Sequence, residues 1–381
     1  QGAAPTPPRG LPQPGQMSAN VRLSASMPSR RPSTTPGGSR RCRDDRPPSP
    51  MSAPSTPSSS LALRSQGDIG CRKSRAFSHS ALARALDSPP KDGMLPGAVE
   101  FIPRRLLWVA TAQLPRDTAQ FHHFSIDNAL VYEPFRSDFG PLNLAMVYRY
   151  CKMLDAKLKE TEGTQRMVVH YCSLDPRKRA NAALLMCAYQ VISLQKSAAA
   201  AYEPFQGILP AFVPFRDAMV GPSTFGLSIE DCLSGLEKAI ELRWFDVETF
   251  DVRAYERLSL ADTFDANWVV PNKFLAFAGP TSTHGSRHGF LEVTPEKCVP
   301  IFREANIGLV VRLNERQYDR RQFTERGIRH ADLFFPDGSC PSQEIISKFL
   351  AMVEAEQGGV AVHCKAGLGR TCTLIGLYAM K

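Results

Sequence analysis

The 381-residue sequence contains no run of 18 apolar residues, and no apolar segment of the secretory kind opens it. We therefore expect neither a membrane span nor a secretory signal. There is no C-x-x-C pair, and the ten cysteines are scattered, which argues against a disulfide scaffold or a structural zinc site. The pair His284 and His288 has no cysteine pair upstream. We expect a reduced, intracellular protein that needs no metal or other cofactor.

Excess positive charge is missing from most of the chain. The net charge is +9, from 46 Lys+Arg and 37 Asp+Glu, and residues 1–97, with 14 basic and 5 acidic side chains, carry all of it. Residues 98–381 are electrically balanced. A basic protein often binds nucleic acid or a membrane surface, but here that interpretation applies to the tail alone. For the rest we expect no nucleic-acid partner.

The basic tail, residues 1–97, contains 16 of the 31 prolines and many serines. Such a segment buries too little apolar surface to offset its ordering entropy, so we predict disorder, apart from a short helix at 78–86. The cluster Arg40–Arg43 is a candidate for nuclear import. Because the chain begins with Gln1, we expect its true start to be missing. The tail has five Ser/Thr-Pro sites, and phosphorylation of all five would about cancel its charge: Thr6, Thr35, Ser49, Thr56 and Ser88.

The remaining residues alternate between strand and helix patterns, which predicts α/β layers. Candidate strands are 106–110, 166–171, 308–313 and 359–363, and candidate helices are 142–160, 179–195, 229–242, 295–305 and 342–356. Between them, residues 245–265 are polar and acidic. We predict a helical linker and a domain boundary there.

A short pattern occurs twice, 193 residues apart. Each copy has an apolar strand, a histidine, and an arginine seven residues later: His170 and Arg177 in the first, His363 and Arg370 in the second. The second copy has Cys364 directly after its histidine, where the first has a tyrosine. We interpret the first copy as a structural relative that lost its chemistry. The alternative is two unrelated strand–loop–helix units.

The second copy reads as a strand, a glycine-rich loop and a helix from Thr371. Backbone N–H groups at a helix N-terminus suit a dianion, and they lower the pKa of a thiol at their centre, so Cys364 is a candidate thiolate nucleophile. Arg370 can bind phosphoryl oxygens through two N–H groups, and Thr371 can donate its hydroxyl to the sulfur. We expect Gly367 and Gly369 to adopt positive φ. The predicted phosphate-binding loop comprises Lys365, Ala366, Gly367, Leu368, Gly369 and Arg370.

A leaving alkoxide needs a proton, and Asp337, on a Pro/Gly loop 27 residues before Cys364, is the candidate general acid. The competing interpretation is a plain turn aspartate, because Asp-Gly is a common turn pair. We interpret His363 as a structural hydrogen-bonding residue behind the loop and Lys365 as a solvated charge. For Cys364 the competing interpretation is an inert core cysteine.

At these residues the chain resembles the CDC14 family of dual-specificity protein phosphatases, within the protein tyrosine phosphatase superfamily. The resemblance covers essentially all of 98–381. It rests on the loop and on H-F-S-I-D at 123–127, D-F-G-P-L-N-L-A-M-V-Y-R-Y at 138–150, R-K-R-A-N at 177–181, P-F-R-D-A at 214–218, N-W-V-V-P at 267–271, K-F-L-A-F at 273–277 and D-L-F-F at 332–335.

The resemblance implies two tandem dual-specificity-phosphatase-like domains joined by a helical linker: a non-catalytic domain at 98–244, a linker at 245–267 and a catalytic domain at 268–381. It implies hydrolysis, without a metal, of phosphoserine or phosphothreonine before proline and of phosphotyrosine. Asp337, Cys364 and Arg370 match the family's acid, nucleophile and phosphate-binding arginine.

The resemblance also implies substrates with a basic residue after the Ser/Thr-Pro site, which an acidic groove between the domains would favour. Candidates for that groove are Asp246, Glu248, Asp251, Asp262 and Asp265. Implied partners are cyclin-dependent kinases or mitotic regulators, in a cell-division role at mitotic exit. The implied location is nucleus and cytoplasm, with the nucleolus and the spindle or centrosome as further sites.

Two departures from the family pattern raise alternatives. Cys372 stands where the family usually has glycine, so we expect it to crowd the loop or to pack as a small residue. As a hypothesis, it forms a reversible disulfide with Cys364, with Cys340 as a weaker candidate. The chain also ends at Lys381, so we expect a C-terminally truncated catalytic domain. The alternatives are a phosphoprotein-binding scaffold of weakened activity and a phosphoinositide phosphatase, the latter disfavoured by Leu368 where an added charge would help.

Overall fold

The structure is a computed structural model and describes residues 95–218, 221–260, 264–282, 286–287, 290–291 and 293–381. The predicted helix at 78–86, almost all of the predicted tail and the pair His284 and His288 lie outside the described residues. Within the described ranges, no helix has both the length and the apolar character needed to cross a bilayer.

The first half contains a four-stranded sheet of order β1-β2-β4-β3, in which β1 runs antiparallel and the others are parallel. The strands are β1 Val99–Ile102, β2 Leu106–Ala110, β3 Phe121–Phe124 and β4 Met167–Cys172, followed by a small ribbon of β5 Phe215–Arg216 and β6 Gly226–Leu227. The helices are α1 Leu144–Glu160, α2 Pro176–Ile192, α3 Ala198–Tyr202 and α4 Ile229–Glu241, with a 3-10 turn at Glu203–Phe205.

The second half contains a five-stranded sheet of order β12-β11-β13-β8-β7, in which only β7 runs antiparallel to its neighbour. Its strands are β7 Ala266–Val270, β8 Phe274–Phe277, β11 Ile307–Arg312, β12 Arg329–Asp332 and β13 Gly359–His363, and β9 Ser286–Arg287 and β10 Phe290–Leu291 form a separate hairpin. The helices are α5 Val252–Ser259, α6 Pro295–Glu304, α7 Arg321–Thr324, α8 Gln343–Ala355 and α9 Gly369–Met380.

Helix α2 forms the centre of the first half. Its N-terminus is fixed by Asp175, whose carboxylate accepts from the N–H groups of Arg177 and Lys178, and by Pro176, whose missing N–H costs nothing there. Small alanines allow the helix to be buried on nearly all sides. It packs with Trp108 and Tyr150 in the largest apolar cluster, which stabilises the strand–loop–helix unit.

The central strand of the second sheet, β13, buries both of its faces. Val360 and Val362 pack with Phe274 and Phe349 on one side, and Ala361 packs with the aromatic cluster on the other. This alternation follows the two-residue period of a strand. Because both faces are covered, the end of β13 is held rigidly at the centre of the sheet.

The two sheets share one plan, which confirms the predicted α/β fold and the prediction of two tandem units of one kind. In each, an antiparallel edge strand precedes a parallel strand, and the strand that leads to the repeated loop lies in the interior of the sheet. The helices that follow, α2 and α9, begin at Pro176 and Gly369, which are 193 residues apart like the two histidines. The domain boundaries themselves stay predictions.

The predicted linker helix is shorter than expected, because α5 is the only helical segment among the described residues of 245–265, which leave out 261–263. Asp246 accepts a hydrogen bond from the N–H of Glu248, and Asp251 caps the N-terminus of α5. Side-chain acceptors of this kind favour turns and helix caps over continuous helix. The guanidinium of Arg149 on α1 donates to both carboxylate oxygens of Glu256 on α5, so the linker is bound to the first half.

Candidate active site

The predicted phosphate-binding loop lies between β13 and α9. It follows the carboxyl end of an interior strand, where sites of α/β sheets commonly lie. Cys364 is buried, at 3% exposure. Lys365, Ala366 and Leu368 are exposed along the rim. The structure thus buries the predicted nucleophile and surrounds it with the N-terminal turn of a helix.

The two loop glycines serve different purposes. Gly367 has φ of 70°, and a Cβ there would overlap the Phe277 carbonyl, so the position requires glycine. Gly369 is the first residue of α9, does not have positive φ, and has open space around its Cα. The expectation of positive φ at Gly369 was therefore wrong, because helical geometry has already begun there.

The pKa of the Cys364 thiol lies below its ordinary value. Burial alone raises it, but several donors outweigh that effect: the hydroxyl and N–H of Thr371, the N–H of Gly367 and the charge of Arg370. The Thr371 hydroxyl is buried and forms no hydrogen bond of full geometry among the described residues. It acts on the sulfur as a nearby donor. The loop favours a thiolate.

Arg370 connects the loop to the predicted acid. Its side chain is 7% exposed, and its Nη1 donates to the Phe335 carbonyl at 3.1 Å. Its Nε lies 3.2 Å from an oxygen of Asp337, an ion-pair distance without hydrogen-bond geometry. Asp337 is 71% exposed, on a turn in which Gly338 has φ of 72°. The structure therefore brings Asp337, Arg370 and Cys364 to one place.

His363 lies behind the loop and is completely buried. Its Nδ1 is 2.9 Å from the Cys364 carbonyl, and its Nε2 is 2.7 Å from the Tyr318 hydroxyl. Gly279 also supports the loop, since its N–H donates to the Lys365 carbonyl at 3.0 Å. Sequence reasoning missed Tyr318 and Gly279, because no motif connects either residue to the loop.

Cys372 does not crowd the loop as expected. Its side chain is exposed, and α9 is regular there, with the Cys372 N–H bonded to the Leu368 carbonyl at 2.8 Å. Cys340, Cys364 and Cys372 are all free thiols. Although the residue is exposed at the surface, the atoms packed around its sulfur and the charge of Cys364 raise the pKa of the Cys372 thiol, which makes it the less reactive thiol. The disulfide stays a prediction.

The acidic residues proposed for a groove are partly engaged locally. Glu248 pairs with Lys152 at 3.4 Å, and the carboxylates of Asp246 and Asp251 bind backbone N–H groups. Asp265 is exposed, and Asp262 lies outside the described residues. Across the described ranges, no group of three or more His, Cys, Asp or Glu side chains is arranged to hold a metal ion.

Comparison with known proteins follows the two halves. A family model described as dual specificity protein phosphatase, N-terminal half, matches residues 100–239. One described as polymorphic toxin system, DSP-PTPase phosphatase, matches residues 294–381. The crystal structure of Tk-PTP in the active form covers 30% of the chain and 71% of its own, at TM-score 0.25 and 22% identity, a likeness too small to carry an argument.

Curated relatives match most of the described chain. Dual specificity protein phosphatase CDC14A of Mus musculus is 48% identical over 292 residues, which is 76% of this chain and 48% of the relative. CDC14A of Homo sapiens is 49% identical over 292 residues, covering 76% and 49%. CDC14AB of Danio rerio is 48% identical over 304 residues, covering 80% and 50%. The chain spans about half the length of these relatives.

Proposed function

The chain belongs to the CDC14 family of dual-specificity protein phosphatases, and from that premise we propose that it is a cysteine-dependent phosphoprotein phosphatase. One observation carries the proposal. A buried cysteine of lowered pKa lies at the N-terminus of α9, beside a buried arginine that contacts an exposed aspartate. This arrangement suits nucleophilic attack on a phosphoryl group.

In the first step, the Cys364 thiolate attacks phosphorus, and an S–P bond forms as the bond to the serine, threonine or tyrosine oxygen breaks. Asp337 gives its proton to the departing oxygen. Arg370 and the loop N–H groups bind the equatorial oxygens, whose charge is dispersed in the transition state. A phosphocysteine results.

In the second step, water attacks the phosphocysteine and transfers a proton to Asp337, which is now a carboxylate. The S–P bond breaks and inorganic phosphate leaves. The Thr371 hydroxyl and the N–H groups of Thr371 and Gly367 stabilise the returning thiolate, since they favour the charged form of Cys364. The cycle ends with the acid protonated and the nucleophile ionised.

For substrates, we propose phosphoserine or phosphothreonine followed by proline and then by a basic residue, as cyclin-dependent kinases produce. The acidic side chains of the linker support the basic preference. The family supports a role in cell division, with mitotic regulators as partners and the nucleus and cytoplasm as locations.

The test is release of phosphate from a phosphoserine-proline peptide with a downstream lysine. Replacement Cys364→Ser removes the thiolate and should abolish turnover, whereas Cys340→Ser, at an exposed thiol, should leave it unchanged. Peptides with alanine for the proline or the lysine test the preference. Equal turnover by Cys364→Ser would refute the mechanism, and tight peptide binding by the parent protein without turnover would favour a binding scaffold.

A further inference from the structure

A hydrogen-bonded chain of three ring side chains runs behind the phosphate-binding loop: Tyr318 and His363 are buried, and His330 is half-buried. The Tyr318 hydroxyl lies 2.7 Å from Nε2 of His363 and 2.8 Å from Nε2 of His330. On its other side, Nδ1 of His363 lies 2.9 Å from the Cys364 carbonyl. The hydrogen-bonded chain therefore reaches from β12, through the loop after β11, to the residue that bears the candidate nucleophile.

The direction of every hydrogen bond in this chain can be deduced from one acceptor. The Cys364 carbonyl only accepts, so His363 donates from Nδ1, and its Nε2 then accepts the single proton of the Tyr318 hydroxyl. Tyr318 has no second proton to give, so His330 must donate from Nε2. The order is His330 to Tyr318 to His363 to the carbonyl.

Both histidines are suited to this neutral arrangement. Burial, helped by the charge of Arg312, lowers the pKa of His363 to about 3 and that of His330 to about 4. The remaining charged groups around His330 are Asp332, which opposes the shift, and Arg316 and Arg320, which add to it. Nδ1 of His330 is buried without a hydrogen-bond partner within the described part of the chain, so a second proton there has no acceptor.

Tyr318 itself is held on two sides. Arg312, which is 1% exposed, lies over its ring at 4.5 Å from the centroid and donates to its carbonyl at 2.8 Å. Arg312 in turn donates to Asp332 at 2.6 Å. The hydroxyl has little freedom to leave the two imidazoles, and bonds arranged in series strengthen one another.

We propose that Tyr318 and His330 are positioning residues for Cys364, which act through His363 to hold the first peptide of the loop in the orientation that stabilises the thiolate. A peptide unit is planar, and its carbonyl and N–H point in opposite directions. The Cys364 carbonyl is hydrogen-bonded to His363, and the Lys365 carbonyl to Gly279. The N–H groups of the same two peptide units therefore point away from these partners.

This inference rests on the proposed role of Cys364 as the nucleophile, but its test reads the ionisation of the thiol and needs no turnover. The rate of iodoacetamide alkylation of Cys364 is measured against pH by mass spectrometry. Tyr318→Phe removes one hydroxyl and should raise the pKa of alkylation by about half to one pH unit, the size of one hydrogen bond. The control Tyr150→Phe removes a similarly buried hydroxyl, 2.9 Å from His170 in the first half. It should leave the alkylation pKa of Cys364 unchanged.

A second pair tests His330. In His330→Gln the amide N–H can replace the Nε2 donor, whereas His330→Leu removes it. The expected result is a parent-like alkylation pKa for the glutamine variant and a raised one for the leucine variant. Unchanged values in both Tyr318→Phe and His330→Leu, or an equal rise in Tyr150→Phe, would overturn the proposal. If Tyr318→Phe does not fold, equal values for the two His330 variants would overturn it. A parent protein that shows the lowered alkylation pKa of Cys364 but does not turn over the phosphopeptide would instead count against the proposed function and leave this proposal standing.

Discussion

The two repeated loops of this chain have the same length and follow the same kind of strand, yet their helix N-termini differ. In the first half, the Asp175 carboxylate accepts from the N–H groups of Arg177 and Lys178. In the second half, the residue at the matching place is Leu368, and among the described residues no side chain caps α9. The first half therefore satisfies its N–H groups internally, while the second leaves them for an external anion.

The arginines of the two loops differ in the same direction. Arg177 is exposed and lies over the Phe139 ring at 5.8 Å. Arg370 is buried, bound to a backbone carbonyl and in contact with Asp337. An exposed arginine samples many rotamers, whereas an anchored one has already lost that freedom before a phosphate arrives. Because the two halves share one backbone plan, their difference in chemistry lies in whether a side chain caps the helix N-terminus and whether the arginine is anchored.

The sharpest test of this comparison replaces each arginine. Arg370→Lys keeps the charge but loses the planar pair of donors, so we expect kcat/KM on a phosphopeptide to fall about 10²- to 10³-fold. Arg177→Lys in the first half should change it less than twofold. Steady-state kinetics on both variants measure the ratio of each variant's kcat/KM to that of the parent protein. Equal losses would mean that the first loop also binds substrate.

The candidate site was predictable from sequence only where its residues are close together along the chain. The segment from strand to helix is contiguous, so its candidate nucleophile and its arginine could be chosen from the sequence. Tyr318 is 45 residues from His363, and no periodicity connects the two. Strand β12 was also missed, because its edge position allows a polar sequence whose Asp332 pairs with the buried Arg312. Such partners are determined by tertiary packing, which sequence patterns do not report.

Asp337 supplies the second prediction, because its carboxylate lies 3.2 Å from Nε of the buried Arg370 in the second loop. Replacement Asp337→Asn should lower kcat on phosphoserine peptides about 10²- to 10⁴-fold, since the alkoxide then leaves without a proton. The loss should be much smaller with an aryl phosphate whose leaving group needs little protonation. Comparing kcat on the two substrates isolates the acid step. Equal losses on both would assign Asp337 to positioning Arg370 instead.

The third prediction transfers the cap of the first half to the second. Leu368 is 63% exposed, so Leu368→Asp should fold normally while its carboxylate competes for the N–H groups of α9. We expect at least a tenfold weaker inhibition by inorganic phosphate, and a higher alkylation pKa for Cys364, because a negative charge now faces the thiolate.

Leu368→Asn is the matched control for this transfer, since it supplies a cap without charge and should have a smaller effect. Phosphate inhibition constants at several ionic strengths separate charge from capping, because salt screens the charge alone. Unchanged inhibition in Leu368→Asp would show that capping does not distinguish the loops.

The smallest effect is expected from removing the cap of the first half. Asp175→Ala leaves the N–H groups of Arg177 and Lys178 to solvent and should lower the free energy of unfolding by about 0.5–2 kcal/mol, whereas Asp175→Asn should preserve most of it. Urea denaturation of both variants measures the difference. Neither variant should gain phosphate binding at this loop, because Arg177 remains exposed. The contrary result is a melting temperature of Asp175→Ala that rises with inorganic phosphate more than that of the parent. That result would show that the Asp175 carboxylate alone prevents phosphate from binding at the first loop.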